Sequence, residues 1–326
     1  MTAAAILVDG RQEFVIVEET KNLVLKGVVK MVRRSDLYLP SNNTHMIQKA
    51  TTLGADVISL DLEDSVAPAE KVGARKILVE NIPLAGSTGS RVWTRINAWD
   101  SDLTLGDLDA VVTEGIDGIL LPKCNGLADV RRIDDEITKR EKAKGLPVGK
   151  IKLALLIETA IGVMKVNESA GGSGRLEALI FGAVDYLRDM HTVRTASAME
   201  QYHARAAIGV AARTYGLVAE DAPYGNFKDA DGFKLDCERS AMLGFEGKML
   251  IHPSQVAVAN AVYAPAPDRV EWAKAITKCF EEEGLAKGKA SVAYQGNMID
   301  IPVYNDGRNI LARQAEIDAA EAKKAH

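Results

Sequence analysis

Cysteine, histidine and an excess of basic charge are what this 326-residue chain has little of. The three cysteines, Cys124, Cys237 and Cys279, lie far apart and form no CxxC pair, so neither a disulfide framework nor a zinc cage is written here. Five histidines without a cluster argue against Zn²⁺ as well. Forty Lys+Arg against 45 Asp+Glu give a net charge of −5. That balance speaks against a nucleic-acid coat or a polybasic membrane binder, and leaves room for a local basic site for a phosphorylated ligand. No apolar run approaches the ~18 residues of a membrane-spanning helix. The N-terminus lacks a secretory layout, because Asp9 and Arg11 interrupt its only apolar stretch. The expectation is a soluble, cytoplasmic α/β protein with no nucleic-acid or membrane partner.

What is present is a rhythm. From Arg34 onward, short runs rich in Val, Ile and Leu alternate with longer stretches of helical period. Eight such runs occupy 36–39, 57–62, 92–96, 118–121, 153–157, 178–181, 217–219 and 249–251, with helix-like stretches at 128–142, 202–215 and 233–242. Near-continuous apolar strands joined by helices imply a parallel sheet covered on both faces.

Runs two to eight are followed in order by Asp61, Arg95, Lys123, Glu158, Asp185, Asp221 and His252. Their mean spacing of about 32 residues is one eighth of a typical ~250-residue (β/α)8 barrel. In such a barrel these side chains converge on the strand C-termini, where active sites form. A doubly wound open sheet would show a Gly-rich first turn, whereas this one reads Pro40-Ser41-Asn42-Asn43. The fold expected is an α/β TIM barrel over 34–283, with an N-terminal extension over 1–33 and a C-terminal hairpin-helix arm over 284–326. The extension carries an alternating stretch, Phe14-Val15-Ile16-Val17, that suits a hairpin. In the arm, Gly296-Asn297 is a two-residue turn signal, and Ile310, Leu311 and Ile317 mark an amphipathic helix.

Several rim residues can carry chemistry. Glu158 and Asp185 close adjacent strands and offer hard oxygen ligands to Mg²⁺, or simply pair with Arg or Lys. Arg95 either clamps a carboxylate or enolate oxygen, or forms a salt bridge to Glu63 or Asp64, and the two are compatible. Asp61-Leu62-Glu63-Asp64 crowds three acids and so calls for a nearby cation, with Asp64 expected to cap the following helix. Lys123 suits a substrate carboxylate or neutralises these acids. His252 is a ligand contact or a satisfied structural residue. Cys124 has no His partner to activate it.

Seven strings together resemble a known family: Leu60-Asp61-Leu62-Glu63-Asp64-Ser65-Val66, Arg95-Ile96-Asn97, Leu121-Pro122-Lys123, Leu156-Ile157-Glu158-Thr159-Ala160, Phe181-Gly182-Ala183-Val184-Asp185-Tyr186, Gly244-Phe245-Glu246-Gly247-Lys248 and Ile251-His252-Pro253-Ser254-Gln255. Their order and spacing are similar to the citrate lyase β-subunit/malyl-CoA lyase group of the HpcH/HpaI aldolase superfamily. The resemblance implies a TIM barrel that uses Mg²⁺ (Mn²⁺ is the alternative ion). It implies reversible cleavage of a malyl-CoA, methylmalyl-CoA or citramalyl-CoA type thioester to acetyl-CoA or propionyl-CoA plus glyoxylate or pyruvate. Carried over by position, the metal ligands fall on Glu158 and Asp185, and the substrate-binding Arg on Arg95. Glu63 falls in the family's acidic turn. Gly296-Asn297-Met298-Ile299-Asp300 matches the string that places a catalytic Asp on the arm, here Asp300, delivered to a neighbour's barrel in a trimer or hexamer.

The first turn departs from the family's Pro-Gly-Ser/Asn-Asn-Pro, and the CoA contacts implied near it fall on Asn43 and Lys49, with Lys123 and His252 across the rim. The partners implied are a CoA thioester and a small 2-oxo acid. Two rival outcomes use the same barrel: a malyl-CoA thioesterase or malate-synthase-like enzyme, and a citrate lyase β-like subunit that needs an acyl-carrier partner.

Overall fold

The computed structural model describes residues 31–324 throughout. Within 1–30 it describes two short strands, Ile6–Val8 and Arg11–Glu13, paired antiparallel. These lie ahead of the alternating stretch Phe14–Val17, which falls outside the described residues. The chain divides into two compact units, Met1–Lys30 and Met31–His326. Arg33, counted with the extension in the sequence, therefore belongs to the second unit.

In that unit eight parallel strands close into a barrel: β1 (Ser35–Pro40), β2 (Val57–Asp61), β3 (Arg91–Arg95), β4 (Gly118–Leu121), β5 (Lys152–Ile157), β6 (Leu176–Phe181), β7 (Val218–Asp221) and β8 (Gly247–Leu250). Each apolar run of the sequence forms one of them, so the fold is the expected TIM barrel. The strands read as near-continuous hydrophobic runs because both faces are buried. Val57, Trp93, Leu156, Ile180 and Met249 fill the lumen, while Ile58, Leu60, Leu155, Leu179 and Leu250 face the surrounding helices. Gly118 supports this packing, because a Cβ there would meet the Trp93 ring at 2.4–2.5 Å. Among the described residues no helix is long and apolar enough to cross a membrane.

Asp221 does not join the strand ends inside the barrel mouth. Glu220 registers with Gly247, and Asp221 with Lys248, on the opposite, outward face. There Asp221 accepts from Arg205 at 2.9 and 3.0 Å and from the fully buried Lys248. Asp236 completes the group, 2.8 Å from Lys248 and 3.1 Å from Arg205. With Arg194 2.9 Å from Asp236, three cations thus face two carboxylates beside the strands and the helices Tyr202–Tyr215 and Ala230–Ala241.

The arm is a hairpin, β9 (Ser291–Tyr294) and β10 (Asn297–Asp300), followed by the helix Ile301–Lys324. Its turn is Gln295-Gly296, one residue earlier than the Gly-Asn signal, with both residues at positive φ (47° and 79°) and Asn297 already paired to Tyr294. Ile299 and Tyr304 share a small core with Ile276 and Phe280 of the helical segment before the hairpin. The long helix then crosses the N-terminal rim of the barrel. Arg313 reaches Glu246 ahead of β8 at 3.7 Å, Glu321 pairs with Arg34 ahead of β1, and Lys324 binds Asp56 ahead of β2 at 2.5 Å.

Removing one partner of a buried charge group leaves the others uncompensated, at a cost of about 3–5 kcal/mol. Asp221→Ala is expected to lower the unfolding free energy by about that amount in denaturant titration. A loss below about 1 kcal/mol would place Asp221 outside any such network.

Candidate active site

Asp61 and Arg95 end neighbouring strands and face each other in register. Asp61 accepts from Arg95 Nε and Nη2, both at 2.7 Å, and from the backbone N–H groups of Glu63 (2.9 Å) and Ser65 (3.0 Å). Burial alone would raise this carboxyl, but the Arg95 charge and these hydrogen bonds hold it below the usual carboxylate range. The turn after β2 is pinned by Lys71, whose ammonium donates to Leu62 O (2.9 Å), Glu63 O (2.5 Å) and Asn97 Oδ1 (2.7 Å).

Glu63 and Asp64 each come within 3.1 Å of Arg95 Nη1, so three acids surround one guanidinium. Asp64 caps no helix. The next turn, Pro68–Glu70, starts after Ala67, and the helix Lys71–Ala85 follows it. Of the five N–H groups of Arg95, Asp61 takes one at Nε and one at Nη2, and the Nη1 pair faces Asp64 and Glu63. One Nη2 hydrogen remains for another acceptor.

Glu158 follows β5 directly. Its Oε1 accepts the backbone N–H of Lys123 at 2.7 Å, an arrangement that holds Lys123 at φ 50° in the left-handed region. Its carboxylate needs the glycine after β6, because a Cβ on Gly182 would sit 2.7 Å from Glu158 Oε2. Asp185 lies in the first turn of the helix Ala183–Asp189, partly exposed and paired with Arg188. Burial raises Glu158 to about 7, and the charge of Glu63 adds to it against the pull of the Lys123 N–H and Arg95. Burial likewise raises Glu63 to about 7 in spite of Arg95, with Asp64 adding to the upward push. The Lys123 ammonium is 3.6 Å from Glu63.

A cavity of about 490 Å³ opens here, with Arg95, Asp61, Asp64, Glu158 and Asp185 in its wall and Tyr38 and Met249 from the lumen. The structure thus brings Arg95, Glu158 and Asp185 together, with Glu63 and Lys123 adjacent. The other candidates do not line this cavity. Asn43 caps the helix Thr44–Ala50 by accepting from Met46 N at 3.0 Å, and Lys49 is exposed in that helix's last turn. His252 stacks on Phe227 at 4.5 Å and caps the turn Pro253–Gln255. Asp300 accepts from Val303 N at 3.2 Å at the start of the arm helix and is not in the wall of its own chain's cavity. Sequence reasoning missed Tyr38, Gly182 and Lys71. The only signal for Tyr38 was its two-residue offset from Asp36 along an alternating strand.

A closed parallel barrel with charged groups gathered at its strand C-termini defines a TIM-barrel enzyme. Residues 34–253 match the family described as HpcH/HpaI aldolase/citrate lyase, and the chain belongs to it. It is similar to the citrate lyase subunit beta of Leuconostoc mesenteroides subsp. cremoris, 37% identical over 280 residues (86% of this chain, 92% of the relative). It is also similar to the L-malyl-CoA/beta-methylmalyl-CoA lyase of Rhodobacter capsulatus, 35% identical over 306 residues (88% of this chain, 95% of the relative). Among solved structures, the CitE protein of Mycobacterium tuberculosis in complex with magnesium, acetoacetate and coenzyme A matches with a TM-score of 0.70. That match is 28% identical and covers 86% of this chain and 97% of that one. The chain is a lyase of this family.

Glu63 and Glu158 hold protons more tightly folded than unfolded, where a glutamate titrates near 4.5. Their contribution to stability is complete below that value and is lost as pH rises through about 7. In chelator-treated protein, Glu158→Gln is therefore expected to gain stability relative to wild type as pH rises across this interval. A pH-independent difference in melting temperature would contradict the buried, protonated state of Glu158.

Proposed function

We propose that this chain is a Mg²⁺-dependent carbon–carbon lyase acting on a 3-hydroxy-3-carboxyacyl-CoA thioester, which it cleaves reversibly to an acyl-CoA and a 2-oxo acid. The observation that carries this reading is the placement of Glu158 and Asp185 in one cavity with Arg95. The residues fit the ion: Glu158 and Asp185 line one cavity, and two carboxylates with the remaining positions left to water and substrate suit Mg²⁺. Glu158 and Asp185 would hold it. When bound, the ion supplies a Lewis acid that polarises the oxo group and balances the acid's carboxylate.

Arg95, locked by Asp61, directs its remaining N–H at the oxygen that gains charge as the thioester enolate forms. Glu63 keeps that guanidinium in place beside Lys123. In the condensing direction Asp300 takes the proton from the acyl-CoA α-carbon, and in cleavage it returns the proton to the enolate. Its position outside its own chain's cavity supports delivery from the arm of a neighbouring copy in a cyclic oligomer such as a trimer. CoA would lie over the rim near Pro40 and Met46, within the reach of Asn43 and Lys49, with Lys123 and His252 on the other strands' ends.

Purified protein incubated with malyl-CoA, methylmalyl-CoA and citramalyl-CoA is expected to release acyl-CoA and 2-oxo acid only with Mg²⁺. Free CoA appearing with the intact hydroxy acid would show a thioesterase, and turnover only with an added acyl carrier would show a citrate-lyase-type subunit. Asp300→Asn is expected to abolish α-proton exchange of acetyl-CoA and to retain Mg²⁺-dependent binding of glyoxylate or pyruvate. Loss of that binding instead would make Asp300 structural.

A further inference from the structure

One layer below the cavity floor the barrel lumen is polar. Arg33, fully buried, lies 4.2 Å from the Trp93 ring and donates to Glu220 at 2.9 Å and to Asp36 at 2.8 Å. Asp36 stands two residues before Tyr38 on β1, on the same face, and Tyr38 is in the cavity wall. The charges do not balance. Arg91 is matched by Glu177, at 2.9 Å, and Arg95 above by its own acids. Among the described residues Arg33 is the one cation hydrogen-bonded to Asp36 and Glu220, each wholly excluded from solvent, and its Nη1 also lies 3.7 Å from Glu177.

Both carboxyl groups accept from the same guanidinium, yet among the described residues one oxygen of each, Asp36 Oδ1 and Glu220 Oε1, has no hydrogen-bond donor. Among the described residues Tyr38 OH, Arg33 Nη1, Arg91 Nε and Trp93 Nε1, buried atoms around the same lumen, are also without a hydrogen-bond partner, and Ser59 Oγ lies beside Asp36. Buried polar atoms are seldom left unsatisfied, and two close carboxyls under one cation cannot both stay ionised at little cost.

We propose that Asp36 and Glu220 hold one proton between them and, with Ser59 and Tyr38, enclose ordered water beneath the cavity. The proton joins the two orphaned carboxyl oxygens as donor and acceptor and leaves one negative charge to match Arg33. Water then satisfies the two hydroxyls and ties the Tyr38 ring, 5.8 Å below the Arg95 guanidinium, to the lumen. The charged groups around the pair are Arg33, Arg91, Glu177 and Arg95, and none supplies a second matching cation.

Infrared spectroscopy at about pH 9, above the range where Glu63 and Glu158 stay protonated, separates this pair from the active-site acids. Wild type and the Glu63→Gln/Glu158→Gln double variant are expected to show a protonated carboxyl band, and Glu220→Gln and Asp36→Asn to lose it. Should those two variants fail to fold, the wild-type spectrum still decides, with a high-resolution crystal structure showing water on Ser59 or Tyr38. A wild-type spectrum without the band refutes the shared proton, and a dry lumen refutes the water.

Discussion

The bidentate pair between Asp61 and Arg95 is the interaction on which the rest of the cavity depends. Two adjacent parallel strands end in opposite charges at matched register, where burial makes each charge costly alone. Four hydrogen bonds converge on Asp61, and charge-assisted bonds of this kind contribute about 1.5–3 kcal/mol each. Once Asp61 holds one edge of the guanidinium, the other edge faces Glu63 and Asp64. One N–H is left for a ligand. Arg95 cannot also neutralise Glu63 and Glu158, which burial therefore keeps protonated up to about 7. In the proposed role, a divalent cation entering a cavity in that state would displace protons, which would couple metal affinity to pH.

Around this pair, the barrel sorts its charges by strand phase. Residues one step apart on β7 go to opposite sides of the wall: Glu220 to the lumen with Arg33, and Asp221 to the helices with Lys248 and Arg205. The outer group ties strands β7 and β8 to two helices, and the inner group lies beneath the cavity floor. At the other end of the barrel the arm helix is fixed by Arg34, Asp56 and Glu321. The cavity and the arm's anchor thus occupy opposite rims, and Asp300 of the arm does not line the cavity of its own chain.

Much of this was legible in the sequence. Val57 to Asp61 announced a strand and its charged end, and the same reasoning located Arg95 and Glu158. Phase was harder to see. In a run apolar on both faces nothing marks which residue points inward, so Asp221 was placed in the mouth and Glu220 went unnoticed. Arg33 and Glu220 are 187 positions apart, and no local pattern links them. Asp64 looked like a cap by composition, whereas the guanidinium beside it takes its carboxylate. The turn at Gln295-Gly296 was displaced by one residue because a non-glycine residue occupies the left-handed region there. The location of Asp300 depends on where the following helix docks, a tertiary fact set by Arg34 and Asp56.

A double-mutant cycle on unfolding free energy, using Asp61→Asn, Arg95→Met and the two combined, tests the dependence on this pair most directly. A buried, bidentate pair should show a coupling energy of about 1–3 kcal/mol, with the double variant less destabilised than the sum of the two single ones. Strict additivity within about 0.3–0.5 kcal/mol would contradict it, and would mean that Asp61 and Arg95 are held by their surroundings independently of each other.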